Sequence, residues 1–246
     1  MRYIKAPILE AVLEFRWAED VHLDALKSAL ELPVLSGFET RKPRQLVKAA
    51  LDLEAGQLSH ESRQIGFDLT HRDGSERVFL ELGKFVYILP APYSKWDDFS
   101  ERALELLEPT IRKLGIKEFS RVGVRFVNRI DAPHRNVGGI NTDDYITIKF
   151  DGPREDAGII DEFQMRLVKP TRKDGIAYAL VIATVHSPLP DHVGIVVDID
   201  VFTRKPVPSS GLELLDVLAE MRLEKNDIFQ SCITEASRDL FGGTEA

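Results

Sequence analysis

In RVGVRFVNRID, residues 121–131, apolar and charged side chains alternate along the chain. Side chains of a β-strand point alternately to opposite faces, so this period of two predicts a half-buried strand. The apolar face takes Val122, Val124, Phe126, Asn128 and Ile130, and the opposite face takes Arg121, Arg125 and Arg129. The three guanidinium groups on one face either pair with the protein's own carboxylates, bind an anionic ligand or remain solvated.

The segment ILEAVLEFRW, residues 8–17, has the same period. Its apolar face takes Leu9, Ala11, Leu13, Phe15 and Trp17, and its polar face takes Glu10, Glu14 and Arg16. If the two strands lie side by side, carboxylates of one strand face guanidinium groups of the other. Asp198 and Asp200 alternate with apolar residues in VGIVVDIDVF, residues 193–202, and salt bridges to the arginine face are favoured for them over a metal site.

Turn and helix signals between these strands predict an α+β fold of two similar halves that share one core. The first half, residues 1–116, is predicted to hold the opening strand, a short helix capped by Asp20, an antiparallel meander over residues 45–89, and a long helix that ends at Gly115 with a kink at Pro109. The second half, residues 117–246, is predicted to hold a strand, a Gly-rich loop with a short segment, three strands, and a long helix from about Ser210 to Gly242. The antiparallel sheet or sheets are then backed by the two long helices. An internal duplication explains the shared order of elements, and so does chance, because the sequence echo is faint.

The composition is that of a soluble globular protein, with 43% hydrophobic and 29% charged residues. Acidic residues outnumber basic ones 40 to 32, a formal net charge of −8, which works against non-specific binding to nucleic acid or anionic lipid. The chain shows no signal peptide and no apolar run long enough to span a bilayer, so no membrane association is predicted. A single cysteine, Cys232, suits a reducing compartment, and the cytoplasm is the expected location.

Few residues suggest catalysis. No P-loop, GxGxxG, HExxH, CxxC or GxSxG motif occurs, the six histidines are scattered singly, and no cofactor or metal is predicted. Cys232 lies in an apolar helical stretch and is interpreted as a core thiol. Asn128 is the polar exception on an apolar face, where its amide either bonds to backbone groups or contacts a ligand.

Three segments together carry a family resemblance: KAPILEAVLEFRW, VGVRFVNRI and DIFQSCITEASRDLFG. The chain resembles, from end to end, a sporadically distributed bacterial family of uncharacterised proteins with a P-x-x-E opening strand, an R-F-x-N-R-I central strand and a helical C-terminus. The resemblance implies a bacterial cytoplasmic protein whose marked residues include Glu10, Arg125, Asn128 and Arg129. It implies no established activity.

These observations favour a non-enzymatic binding or interaction module that uses its charged sheet face to recognise a protein partner or a small anionic ligand. The binding residues predicted for that face and its strand are Glu10, Glu14, Arg121, Arg125, Asn128, Arg129, Asp198 and Asp200. The alternative is an enzyme that holds a small phosphorylated or carboxylated substrate with Arg125 and Arg129 and uses Glu10 or Glu14 as acid or base. Nucleic-acid binding on a saddle-shaped sheet fits a duplication but not the net charge, and a homodimer through edge strands fits the meander.

Overall fold

The computed structural model describes residues 2–52, 57–133, 140–149, 159–160, 162–242 and 244–245. Within them the chain forms a mixed α+β structure around a large antiparallel sheet, as the sequence predicts. The predicted turn at 55–56 and most of the Gly-rich loop lie outside the described residues.

Among the described residues, nine strands form the main sheet. They are β1 (Ile8–Arg16), β2 (Thr40–Asp52), β3 (Gln57–Thr70), β4 (Arg77–Glu81), β5 (Lys84–Pro90), β6 (Arg121–Pro133), β7 (Gln164–Pro170), β8 (Ile176–His186) and β9 (His192–Thr203). Their spatial order is β7-β8-β9-β6-β1-β5-β4-β3-β2, and every neighbouring pair is antiparallel. Short two-residue strands pair outside this sheet: Arg2–Tyr3 with Thr244–Glu245, Ile140–Asn141 with Ile159–Ile160, and Glu118–Phe119 with Val207–Pro208.

The topology around the sheet centre is simple. The opening strands β1 and β6 pair with each other, so the two predicted halves share one continuous sheet. Each opening strand also pairs with the last strand of the meander that follows it, β1 with β5 and β6 with β9. The described part of the first meander has four strands, and that of the second has three.

The described part of the chain also has four α-helices: α1 (Leu23–Ala29), α2 (Trp96–Leu114), α3 (Leu212–Cys232) and α4 (Glu235–Leu240). Short 3₁₀ turns occur at Pro33–Leu35 and Thr142–Asp144. One side of α2 is buried through Phe99, Ala103, Leu106, Leu107 and Ile111, the stripe expected of an amphipathic helix. α2 continues through Pro109 to a left-handed Gly115 at its C-terminus, and α3 packs against β9 and β6.

Two predicted helix boundaries were wrong. The first helix begins at Leu23 with His22 rather than Asp20 at the N-cap, and His22 makes no capping hydrogen bond. The last helical segment is two helices, because Ile233 is extended and breaks the chain of hydrogen bonds. Thr234 then caps α4, its hydroxyl accepting a hydrogen bond from the Ser237 N–H at 3.4 Å.

The two faces of the sheet differ in what they bury. On the helix side the alternating residues of β1 and β6 join one large core, with Leu13, Phe15, Val122 and Val124 fully buried. On the opposite side, called the open face, a small apolar cluster lies among charged side chains: Val12, Val86 and Ile88, with Phe79 against them. The alternation predicted for both opening strands is therefore confirmed.

Candidate functional site

On the open face, Arg121 lies between two carboxylates. One terminal nitrogen donates to Asp200 Oδ2 at 2.7 Å, and the other donates to Glu14. Glu14 also accepts from Arg16 Nε at 2.9 Å, and the guanidinium carbon of Arg121 lies 4.6 Å from the centre of the Phe202 ring. Burial raises the pKa of Asp200 above its ordinary value, and the charge of Arg121 offsets part of that rise.

Arg125 has a bidentate carboxylate partner. Its Nε and Nη2 donate to the two oxygens of Asp198 at 2.8 and 2.7 Å. These hydrogen bonds, with the nearby charges of Asp198, Asp200 and Glu10, hold the pKa of Arg125 above its ordinary value. Glu10 itself has no ion pair among the described residues.

Arg129 pairs within its own strand. Its Nε donates to Asp131 Oδ1 at 2.9 Å, an oxygen that also accepts from the Ser187 hydroxyl at 2.7 Å. Residues 129 and 131 lie two apart on one strand and therefore share a face, but Asp131 was not among the predicted partners of Arg129. All three arginines of the strand thus contact carboxylates of the protein itself.

Asn128 lies on the other side of the same strand and is only 3% exposed. Its Nδ2 donates to the carbonyl oxygens of Phe126 at 3.3 Å and Val197 at 3.0 Å, which fixes the orientation of the amide. Oδ1 receives no side-chain or backbone hydrogen bond from the described residues. Directly opposite, β1 has a register shift between Ile8 and Glu10, an irregularity of the kind that often adjoins binding sites.

Asn128 forms part of the wall of a cavity of about 550 Å³, a volume typical of small-molecule sites. The wall has four contributors: residues 3–8 before and at the start of β1, residues 91–96 between β5 and α2, Asn128 on β6, and the middle of α3. From α3 the lining residues are Arg222, Lys225, Asn226, Phe229 and Gln230.

The charge of this wall has one sign. Its charged residues are Lys5, Lys95, Arg222 and Lys225, and no aspartate or glutamate occurs among the described residues that line it. Lys95 has an ion pair behind the wall, with Asp98 at 3.0 Å, and Arg222 has one with Asp97 at 3.4 Å. The cavity, called the cationic cavity below, is therefore positive in a chain whose net charge is −8.

Lys225 is the most perturbed group in the cationic cavity. Its Nζ lies 3.8 Å from the centre of the Phe126 ring, and no carboxylate of the described residues lies within ion-pair distance. Removal from water, with a smaller contribution from the positive charge of Arg222, lowers the pKa of Lys225 to about 7. Much of this side chain is accordingly a neutral amine near neutral pH.

Aromatic side chains complete the wall. The Tyr3 hydroxyl donates to Gln230 Oε1 at 2.8 Å, and the guanidinium of Arg222 lies 5.6 Å from the centre of the Trp96 ring. Tyr93 packs edge-on against Phe126 at 5.2 Å, and burial raises the pKa of its phenol. Tyr93 is therefore a neutral hydroxyl that can donate a hydrogen bond at physiological pH.

The sequence reasoning reached only Asn128 of this cavity. Lys225 was missed, although the sequence holds a signal for it, since it lies four residues after Met221 and four before Phe229. Both of these are buried, so a lysine occupies a position in the apolar stripe of α3 where a hydrophobic residue is expected. The residues at 3–8 and 91–96 carry no such signal, because they are brought to the cavity by the fold alone.

A scan against protein-family models found no match to the chain, and a search of curated proteins found none either. In the described residues no group of three or more His, Cys, Asp and Glu side chains is placed to hold a metal ion. No described helix is both long and apolar enough to cross a membrane. Cys232 is buried, and burial raises its pKa to about 11, as expected of a core thiol.

Proposed function

We propose that this protein is a non-enzymatic binding module for a small anionic ligand, and that the ligand occupies the cationic cavity. The observation that supports this most is the wall itself: its charged residues are the basic Lys5, Lys95, Arg222 and Lys225, and the described lining residues include no carboxylate. Basic groups of one sign around a concave surface favour an anion, most of all beside Arg222 and Lys225, which are partly buried.

Individual residues of the wall suit such a ligand. Lys225 has no carboxylate partner among the described residues, so a bound anion would favour the protonated form of this amine and pair with it. Asn128 Oδ1 is an acceptor for a hydroxyl or amino group of the ligand, and Tyr93 offers a hydroxyl donor. Trp96 and Phe229 give flat apolar surface for the ligand's carbon skeleton.

The charged open face is the weaker position for this ligand. Arg125 would hold the substrate if the protein were an enzyme, but two of its N–H groups already donate hydrogen bonds to Asp198. An anion that bound there would first have to displace a bidentate carboxylate. The open face suits a structural role, in which cross-strand ion pairs hold β6 against β1 and β9.

From the resemblance to the sporadically distributed bacterial family, the proposal takes the protein to be bacterial and cytoplasmic. An internal duplication of the chain is also part of the proposal. Pairing of β1 with β5 and of β6 with β9 gives both halves the same strand connectivity around a central pair, which supports descent from one repeated unit.

Titration calorimetry with a panel of small anions tests this function. The panel contains inorganic phosphate, 2-hydroxy and 2-oxo acids, and an aromatic carboxylate, each titrated into the wild type, Lys225→Met and Arg125→Met. We expect one class to bind the wild type and Arg125→Met alike, and Lys225→Met about tenfold or more weakly, from the loss of one charge-assisted contact. Loss of binding in Arg125→Met alone would move the site to the open face, and no binding by any anion would overturn the proposal.

A further inference from the structure

Lys225 differs from the other two lysines of the cationic cavity. Lys95 is exposed and ion-paired with Asp98 at 3.0 Å, and this hydrogen bond raises the pKa of Lys95. Lys5 is exposed to solvent. Lys225 is instead partly buried, its Nζ lies 3.8 Å from the centre of the Phe126 ring, and it has no carboxylate partner among the described residues. It is the one amine of the cavity suited to act as a nucleophile.

The side chains around Lys225 can also bind and activate a carbonyl compound. The neighbouring cation Arg222 can hold an anionic group of a ligand beside Lys225, and Tyr93 can donate a hydrogen bond to a carbonyl oxygen. A cation adjacent to the amine also keeps the amine neutral, since its charge adds to the lowering of the Lys225 pKa. An amine that only formed ion pairs would need neither a hydroxyl donor nor a second cation beside it.

We propose that the ligand is a small anion with an adjacent aldehyde or ketone, such as a 2-oxo acid, and that Lys225 captures it as a reversible imine. This inference rests on the proposed function, because it uses the same cavity and names the ligand class. The bond to Lys225 would give a binding module slow release of a ligand that is too small to bury much apolar surface.

The step is balanced without any further reagent. The lone pair of the neutral Nζ attacks the carbonyl carbon, and a proton moves from nitrogen to the former carbonyl oxygen to give a carbinolamine. The carbinolamine then takes up one proton and loses its hydroxyl group as water, which leaves a C=N bond to Nζ. One amine, one carbonyl and one proton from solvent thus give one iminium and one water, no atom is oxidised or reduced, and hydrolysis restores the amine, the carbonyl and the proton.

Reductive trapping tests the inference with the full chain. The protein is incubated at pH 7.5 with pyruvate or 2-oxoglutarate and sodium cyanoborohydride, which reduces an iminium in preference to a free carbonyl, and the modified lysines are located by peptide mass spectrometry. We expect Lys225 to be modified about tenfold or more faster than Lys5 or Lys95, because the pKa of Lys225 is lowered whereas that of Lys95 is raised by its hydrogen bond to Asp98. Lys225→Arg, which keeps the positive charge, should lose this fast labelling.

Lactate and 2-hydroxyglutarate serve as matched ligands without a carbonyl. If they bind the wild type and slow the labelling of Lys225, the cavity holds the anion and the imine forms there. If they bind but Lys225 is labelled no faster than Lys5 and Lys95, the imine is refuted and the binding function stands. If neither the hydroxy acids nor the oxo acids bind and no lysine is selectively trapped, both proposals fail for this ligand class.

Discussion

Replacing Lys225 by methionine should stabilise the protein at neutral pH. Methionine has a similar length, no charge and enough flexibility to fill the space of the lysine side chain against Phe126. The substitution breaks no ion pair with a described residue, and it removes a group whose charged form is disfavoured by its surroundings.

The magnitude follows from proton linkage. The pKa of Lys225 is lowered from 10.5 to about 7 in the folded protein, so between these pH values the unfolded chain binds more protons than the folded one. Stability of the wild type therefore rises with pH across this window, by about 1.4 kcal/mol for each pH unit. At pH 7.5 the three pH units below 10.5 correspond to a cost of about 4 kcal/mol, which the methionine variant avoids. Near pH 10.5 the two proteins should be equally stable apart from differences in packing.

Urea unfolding followed by circular dichroism at pH 7.5, 8.5 and 9.5 measures this difference. Lys225→Met should exceed the wild type by about 4, 3 and 1.5 kcal/mol in turn. Lys173→Met is the matched control, since Lys173 is an exposed lysine paired with Glu220, and it should leave the urea midpoint nearly unchanged at each pH.

Two results would refute the reasoning. A methionine variant that is less stable than the wild type at every pH would show that Lys225 is charged and well compensated in the folded protein. A stabilisation that stays constant from pH 7.5 to 9.5 would show that packing, not the protonation of Lys225, accounts for it. Arg222 and Lys95 are the neighbouring basic residues of the wall, and the hydrogen bond to Asp98 raises the pKa of Lys95.

Three further predictions concern the strand of residues 121–131 and the lone thiol. Arg121→Met should destabilise the protein by about 3 kcal/mol, because it leaves two carboxylates facing each other. Arg125→Met should cost only about 1 kcal/mol, since the Arg125 side chain is 46% exposed. Equal urea midpoints for the two variants would contradict this difference. The Arg121→Met variant should also regain part of its stability in acid, because burial already raises the pKa of Asp200 and protonation of this carboxylate ends the repulsion, and a pH-independent loss would argue against repulsion as the cause. Asn128→Ala should cost about 2 kcal/mol through two lost hydrogen bonds to backbone carbonyls, measured by the same unfolding, and a change below about 0.5 kcal/mol would show that these bonds add nothing to stability. Cys232 should resist a thiol reagent in the folded protein at pH 8 and react only in denaturant, and rapid reaction without denaturant would contradict its burial and its pKa of about 11.

Local pattern was sufficient for much of the fold. The alternation in residues 8–17 and 121–131 is a strand signal because a pleated strand exposes every second residue to one face, and the structure has both strands with those faces. The helix ends were harder to predict from the sequence. Asp20 is a strong cap residue by type, yet the chain starts its helix at Leu23, since packing of Leu26 and Ala29 into the core fixes the helix position.

The partners of the charged residues were predicted in part. Arg121 and Arg125 contact carboxylates of strands that the sequence had already placed on the same face. Arg129 contacts Asp131 of its own strand, two residues on and on the same face. Glu10 pairs with no described residue, because the register shift of β1 next to it decides which side chains come within reach.

By itself the sequence determined the α+β class, the faces of the two opening strands and the charged character of the open face, because each depends on periodicity within one segment. Only the tertiary structure decided that a cavity of positive charge exists and that Lys225 faces it with Asn128. That cavity needs segments more than two hundred residues apart, the start of β1 and the middle of α3, and their approach follows from the packing of α3 on β6 and β9. The pKa of Lys225 follows in turn from this packing, since burial and the nearness of Arg222 are properties of the folded chain.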